Sequence, residues 1–436
     1  MTLREHLRKN TLLAVPVLVG QLGHITVTVA DSVMVGRVGV VPLAAATFAG
    51  TFFFVLMLFG IGVSYAITPL VAATDKKDKP RLLSFLQNGL AMNIGLGVIL
   101  LALGLLTSNF LNFFGQEAEV VQAGRPYLII VALSLLPIMI FQTFRQFSEG
   151  QSDTLSPMVV SIVANLLNVT LNYILIYGKF GFEPMGLNGA GYATLISRIA
   201  MAFLIVWMVR KKCLGFQWKF NRAVIRQLLK IGVPSGLQYI FEVGAFATAA
   251  IMVGWISAES LAAHNIALNL SAITYMASTG LAAAATIRVG NQVGLKDKVN
   301  LRLAGFSLMG MVAVFMAICG VLLILLRDLL PALYIENMEV RSIASVLIII
   351  AAAYQISDGL QAVGLGVLRG LTDVKVPTIV TFVSFWIIAI PLGYVLGFTL
   401  EMGVNGVWYG LCVGLTLAAI FHTWRFNRLT NQLEFD

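Results

Sequence analysis

Twelve apolar stretches, each long enough to cross a hydrocarbon layer, govern what this 436-residue chain can become. A spanning helix needs about 20 mostly apolar residues. Stretches of that length run roughly over 12–35, 44–73, 82–107, 121–149, 155–178, 186–210, 231–257, 261–291, 303–326, 340–369, 377–399 and 404–424. The chain is 58% hydrophobic and 11% charged, about half the charged share of a soluble protein. The stretches are therefore membrane spans rather than buried core helices, and the loops between them are too short for a separate soluble domain. The first stretch follows a basic N-terminus, as a signal peptide would. It is too long for such a segment and lacks a small-residue cleavage site before Asp31, so it is expected to remain a span.

The net charge of +9 would suggest nucleic acid in another chain, but its distribution sets orientation instead. Assigning alternate loops to one side, starting with the N-terminus, collects 23 of the 29 basic residues. Only Arg37, Arg125, Lys179, Arg327 and Arg341 fall on the other side, and Arg198 lies inside a span. By the positive-inside rule both termini are expected in the cytoplasm, which requires an even number of spans. Cys213, Cys319 and Cys412 show no metal-like spacing and imply no disulfide framework.

The chain repeats itself. At an offset of 218, Pro16 falls on Pro234 and Leu43-Ala44-Ala45 on Leu261-Ala262-Ala263. At 220, Gly150, Asp153 and Pro157 fall on Gly370, Asp373 and Pro377, and at 217 GLNGAGY (186–192) falls on GVNGVWY (403–409). Each copy holds an even number of spans, so both share one orientation. The expected architecture is all-α, with twelve transmembrane helices in two parallel-repeat six-helix bundles, 1–215 and 216–436. In transporters built this way the substrate site lies near the midplane between the repeats. The basic segment 211–230 links them.

Three acids lie deep in apolar segments: Asp31, Glu242 and Asp358. Placing one at mid-membrane costs about 2.5–3.5 kcal/mol on insertion scales, and such residues mark ion or substrate paths. None is duplicated: at the same offsets they fall on Ala249, His24 and Ile138. Scaffold residues repeat while the ionisable ones do not, so the halves divide the labour. In the tenth span Tyr354, Asp358 and Gln361 share a helical face at spacings of four and three. A phenol, a carboxylate and an amide can ligate a dehydrated Na⁺ or surround a proton site; the alternative is a polar helix–helix contact. Glu242 offers a second carboxylate eight residues after Pro234. Asp31, near the end of its span, either works with His24 or snorkels outward. Asn165, Asn168 and Asn172 recur at helical spacing and serve either as ligands or as interhelical glue. Arg198 needs a partner or water that the sequence does not name. Gly364, Gly366 and Gly370 follow no strand, which excludes a dinucleotide loop.

The motifs YQISDGLQAVGLGVLRGLTDVKVP (354–377) and GVPSGLQYIFE (232–242), with ADSVMVGRVG (30–39), LAAATFA (43–49), RQFSEGQSDTLSP (145–157) and GLNGAGYATLISR (186–198), resemble the MATE family of multidrug and toxin extrusion antiporters. The likeness runs along essentially the whole chain, and Glu242 with Tyr354 and Asp358 is similar to the NorM-type branch. The resemblance implies a C-terminal-half cation site at Glu242, Asp358 and Tyr354, holding Na⁺ or replaced by H⁺. It implies substrate or proton coupling at Asp31, Asn168, Asn172 and Gln361. One departure stands out: a branch of the family carries Asn and then Asp in the fifth span, where this chain has Asn168 and Asn172. The function implied is efflux of amphipathic organic cations and drugs in exchange for Na⁺ or H⁺. The chain would act as a monomer in the cell's inner membrane, in contact with lipid, with no nucleic acid and no cofactor. A major-facilitator transporter would carry a G-x-x-x-D-R-type loop that TDKKDKPR (74–81) does not match. A lipid-precursor flippase would want several cationic residues inside, and a channel would not need unduplicated acids. No nucleophile–base pair or metal-ligand cluster suggests an enzyme.

Overall fold

A computed structural model describes residues 2–435. Among them are twelve helices long and apolar enough to span a membrane, and no strand. They are α1 (Leu3–Gly36), α2 (Val40–Ala72), α3 (Lys79–Phe114), α4 (Ala118–Gly150), α5 (Leu155–Tyr177), α6 (Gly186–Cys213), α7 (Arg222–Gly254), α8 (Ala258–Gly294), α9 (Lys298–Leu325), α10 (Met338–Gly370), α11 (Lys375–Thr399) and α12 (Gly403–Gln432). The twelve expected spans are all present. With no water in hydrocarbon to satisfy backbone polar groups, the helix is the form that long apolar runs must take.

The helices gather into two compact units, Val19–Gly236 and the residues up to Leu18 together with those from Leu237 onward. In the first, α2 and α3 pack on α4, α4 on α6, and α5 on α6. In the second, α8 and α9 pack on α10, α10 on α12, and α11 on α12. Adding six to each label turns one set into the other, so the sequence repeat is a repeat of architecture.

Apolar side chains gain little by leaving lipid for a helix interface, so membrane helices associate through close backbone packing at small residues. The repeated glycines supply that approach. A Cβ on Gly150 would lie 2.7 Å from Val71 and 3.0 Å from the Thr68 carbonyl oxygen. On its counterpart Gly370 it would lie 2.8 Å from Val289 and 3.0 Å from the Thr286 oxygen. The same contact thus sits at the same place in both halves. Gly62 of α2 would meet Gly236 at 2.6 Å, and Gly280 of α8 would meet the Ala14 oxygen at 3.0 Å. The beginning of α7 therefore packs with the first unit, and that of α1 with the second.

The turns after α4 and α10 also match. Ser152 and Thr372 take left-handed backbone angles, φ 67° and 60°. Asp153 pairs with Lys212 and Asp373 with Arg425, each base coming from the last helix of its own half. Burial alone would raise the Asp153 carboxyl. Hydrogen bonds from Lys212 and Ser156 outweigh it and hold the group below its ordinary range, so the pair stays ionised at neutral pH.

Helix α11 departs from its counterpart α5. It contains π-helical turns at Val383–Ala389 and Val395–Thr399, whereas α5 is regular. Pro391 lies between the two widened stretches and offers no N–H to the Ile387 carbonyl.

Backbone contact predicts a sharp contrast between glycines. A Cβ on Gly406 would lie 2.5 Å from the backbone of Leu396 and Gly397, whereas one on Gly310 meets nothing within 4 Å. Gly406→Ala should destabilise the protein by about 1–3 kcal/mol, seen as a lower melting temperature in detergent. Gly310→Ala should melt like the wild type.

Candidate functional site

In the second unit, α7, α8 and α10 bring together the polar side chains that the repeat does not copy. Glu242 and Asp358 are 7% and 6% exposed, and each lies within electrostatic reach of the other. Gln361, three residues after Asp358, donates its amide N–H to Glu242 Oε2 at 3.4 Å. Tyr275 of α8 donates its hydroxyl to Glu242 Oε1 at 3.2 Å. Both Glu242 oxygens are thus held by neutral donors. Two further oxygens, Gln361 Oε1 and Ser278 Oγ, are buried without a hydrogen-bond partner. Buried polar atoms nearly always have partners; the Gln361 oxygen is thus spare beside Glu242, while Ser278 Oγ lies against Gly359 of α10. Among the described residues no three His, Cys, Asp or Glu side chains cluster as a metal centre would require. A cation here would be held by two carboxylates and neutral oxygens.

Tyr354 shares the α10 face, and its hydroxyl turns to Ser271 Oγ of α8, 3.3 Å away. Its ring packs 6.0 Å from that of Trp408, whose indole N–H donates to His264 Nδ1 at 3.0 Å. His264 thereby has a packing role between α8 and α12. Gln355 and Thr274 bridge α10 and α8 one turn away, with the amide donating at 2.8 Å.

Tyr275 was not among the residues singled out from sequence. The signal was present: at the 218 offset it falls on Met57, so it is one more polar side chain without a copy.

In the first unit, Asp31 and His24 line one cavity of about 270 Å³ together with Asn165, Asn168, Gln142 and Arg198. Asn172 donates to Asp31 and also to Asn168 Oδ1 at 3.1 Å, and Asn168 donates to Ser197 Oγ at 3.3 Å. An amide relay thus joins α1 to α5 and α6. Donation from Asn172 gives the Asp31 carboxylate a fixed orientation toward α5.

Arg198 projects into the same cavity, and no ion pair joins it to Asp31. Its guanidinium donates to Ser134 Oγ at 2.7 Å and to the Met57 sulfur at 3.4 Å, and it lies 4.8 Å over the Phe53 ring. Ser134 sits where α4 breaks between Leu133 and Leu135, and its own hydroxyl donates to the Val131 oxygen at 2.5 Å. With its proton directed to Val131, the Ser134 oxygen is left to accept from the in-membrane cation. A hydrogen bond to a charged group contributes about 1.5–3 kcal/mol. Ser134→Ala should destabilise the protein by an amount in that range, seen as a lower melting temperature, while Ser108→Ala, whose hydroxyl bonds only its own helix, should change it little.

Comparison with known proteins places this arrangement. The MatE family profile matches residues 16–174 and 234–395, one segment in each repeat. The chain is 32% identical to the "Multidrug resistance protein NorM" of Photobacterium profundum, over 99% of this chain and 97% of that one. It is 36% identical to a "Probable multidrug resistance protein NorM" of Rhodopseudomonas palustris, over 98% and 93%. Among solved structures, the eukaryotic MATE transporter AtDTX14 matches with a TM-score of 0.87 at 20% identity, over 99% of this chain and 98% of that one. The Vibrio cholerae MATE transporter VcmN, in its bent form, matches with 0.88 at 19%, over 98% of each. At such identities these structures speak for the fold alone. With both repeats matched and full-length relatives above 30% identity, the chain belongs to the MatE family of multi-pass membrane transporters.

Proposed function

We propose that this protein is a multidrug efflux antiporter that expels amphipathic organic cations in exchange for Na⁺, with H⁺ as the alternative driving ion. The observation that carries the reading is the buried pair Glu242 and Asp358, unduplicated and braced by Tyr275 and Gln361. Two neighbouring buried carboxylates repel until a proton or cation neutralises them. The site therefore has a reason to load an ion and a reason to change state when it does. In this mechanism Glu242 and Asp358 take the ion, Gln361 and Tyr275 keep Glu242 oriented, and Tyr354 closes the site against Ser271. Loading then weakens substrate binding and favours return. Substrate must bind the two states unequally for this cycle to run. Asp31, with Asn168 and Asn172, supplies an acceptor for substrate or proton in the other half.

The spare Gln361 oxygen beside Glu242 favours Na⁺, because hard cations seek several oxygen ligands while a proton needs one carboxylate. The names of the curated relatives support multidrug export. The basic loops support a cell inner membrane location with cytoplasmic termini. Two six-helix halves, 1–215 and 216–436, acting as a monomer, complete the proposal.

Efflux of ethidium from proteoliposomes, under an imposed Na⁺ gradient and then an imposed pH gradient, tests the reading. Glu242→Gln and Asp358→Asn should each abolish efflux without loss of membrane insertion; wild-type rates in both would remove them from the mechanism. Tyr275→Phe and Tyr354→Phe should raise the Na⁺ concentration for half-maximal rate, Tyr275→Phe by roughly tenfold because it removes a hydrogen bond to a charged group. Efflux that follows the pH gradient and ignores Na⁺ would replace Na⁺ by H⁺.

A further inference from the structure

On the outer surface of the first unit, α2, α3 and the start of α7 enclose an apolar groove of about 410 Å³. Met92, Gly95 and Ile99 form one wall, and Phe220, Ile225 and Leu229 another. Gly95 keeps it open. A glycine inside a helix loses stability relative to alanine, and most interior glycines here allow a close contact in return. A Cβ on Gly95 would meet nothing within 4 Å, so its missing side chain serves empty space.

Basic residues stand along one side of this groove. On α7, Ile225, Leu229 and Val233 recur every four residues and line it. Arg222, Arg226 and Lys230 recur at the same spacing three residues earlier, so they form the neighbouring stripe over about 12 Å. All three are exposed, and none forms an ion pair among the described residues. Asn221 fixes the approach to the helix: its backbone N–H donates to Asn88 Oδ1 of α3 at 2.7 Å, and its side chain accepts from Ala223 N at 2.9 Å. Just before it, Trp218 and Phe220 stack with centroids 6.1 Å apart, 57% and 71% exposed. Exposed aromatics of this kind mark the headgroup level of a membrane.

We propose that the groove is a binding site for an anionic phospholipid, with one acyl chain lying between α3 and α7 and the phosphate held by Arg222, Arg226 and Lys230. A zwitterionic lipid would fill the apolar part equally well but would leave the basic stripe without compensating charge. Each basic residue near an anionic headgroup favours binding by a factor of about five.

Native mass spectrometry of the delipidated, full-length protein titrated with phosphatidylglycerol or phosphatidylcholine tests this. Phosphatidylglycerol should bind its first site at least about tenfold more tightly, reflecting more than one basic contact. The variant Arg222→Gln/Arg226→Gln should lose that preference while still binding phosphatidylcholine. Gly95→Leu, which fills open space, should weaken the first site for both lipids. Equal wild-type affinity for the two lipids overturns the headgroup assignment without needing any variant. Unchanged binding in Gly95→Leu overturns the groove as the place where the chain lies. Neither readout involves transport, so failure here is distinct from failure of the antiporter reading.

Discussion

Surrounded by lipid, a helix has no solvent to flee toward its neighbours, and what holds this protein together is how nearly its backbones can touch. The contacts of Gly150 and Gly370, of Gly62 and Gly280, and of Gly189 and Gly406 are the places where a single methyl group would collide with a neighbouring backbone or Cβ. Those of Gly150 and Gly370 seat α4 and α10 among their partners, and α10 presents Gln361 to Glu242 of α7. The chemistry thus depends on residues that carry no chemistry. This also explains why the glycines recur between halves while the acids do not. Packing must be solved in both halves, whereas the polar interiors of the two are free to differ.

The two halves use the same frame for different polar interiors. At equivalent places the first carries Met57 and the second Tyr275. Met57 lends its sulfur to Arg198, while Tyr275 lends a hydroxyl to Glu242. One half holds an arginine, an aspartate and a row of amides around a cavity. The other holds Glu242, braced at both oxygens, with Asp358 and the spare Gln361 oxygen.

Much of this was legible in the residues. Apolar length alone defined the spans, because hydrocarbon thickness and backbone satisfaction leave few alternatives. The offset marks exposed the repeat, and loss of repetition singled out Glu242 and Asp358. Side-chain direction was less legible. Spacing placed Tyr354 and Gln361 on one face with Asp358, but it could not say that the phenol would reach Ser271 while the amide reached Glu242. Helical spacing fixes neighbours on one helix, not what the opposing helix offers. Arg198 shows the same limit from the other side. Its partners are a hydroxyl at a break in α4, a sulfur and a ring, none of which its own span announces. Nor did the repeat reveal that the first eighteen residues of the chain cluster with the later helices.

The widened turns of α11 carry a piece of history. Pro157 and Pro377 are separated by 220 positions, but the equivalent contacts of Leu175 with Gly189 and Leu396 with Gly406 place the far ends of α5 and α11 221 apart. The later copy is one residue longer inside the span rather than in a loop. A soluble helix could extrude such a residue into water, but hydrocarbon forbids the exposed peptide group. The ladder instead absorbed it by spreading, as in the Leu400 N–H to Val395 oxygen bond that reaches five residues back. Duplicated membrane proteins can therefore drift in length where loops are not free to change, and the record of that drift is written in helical pitch.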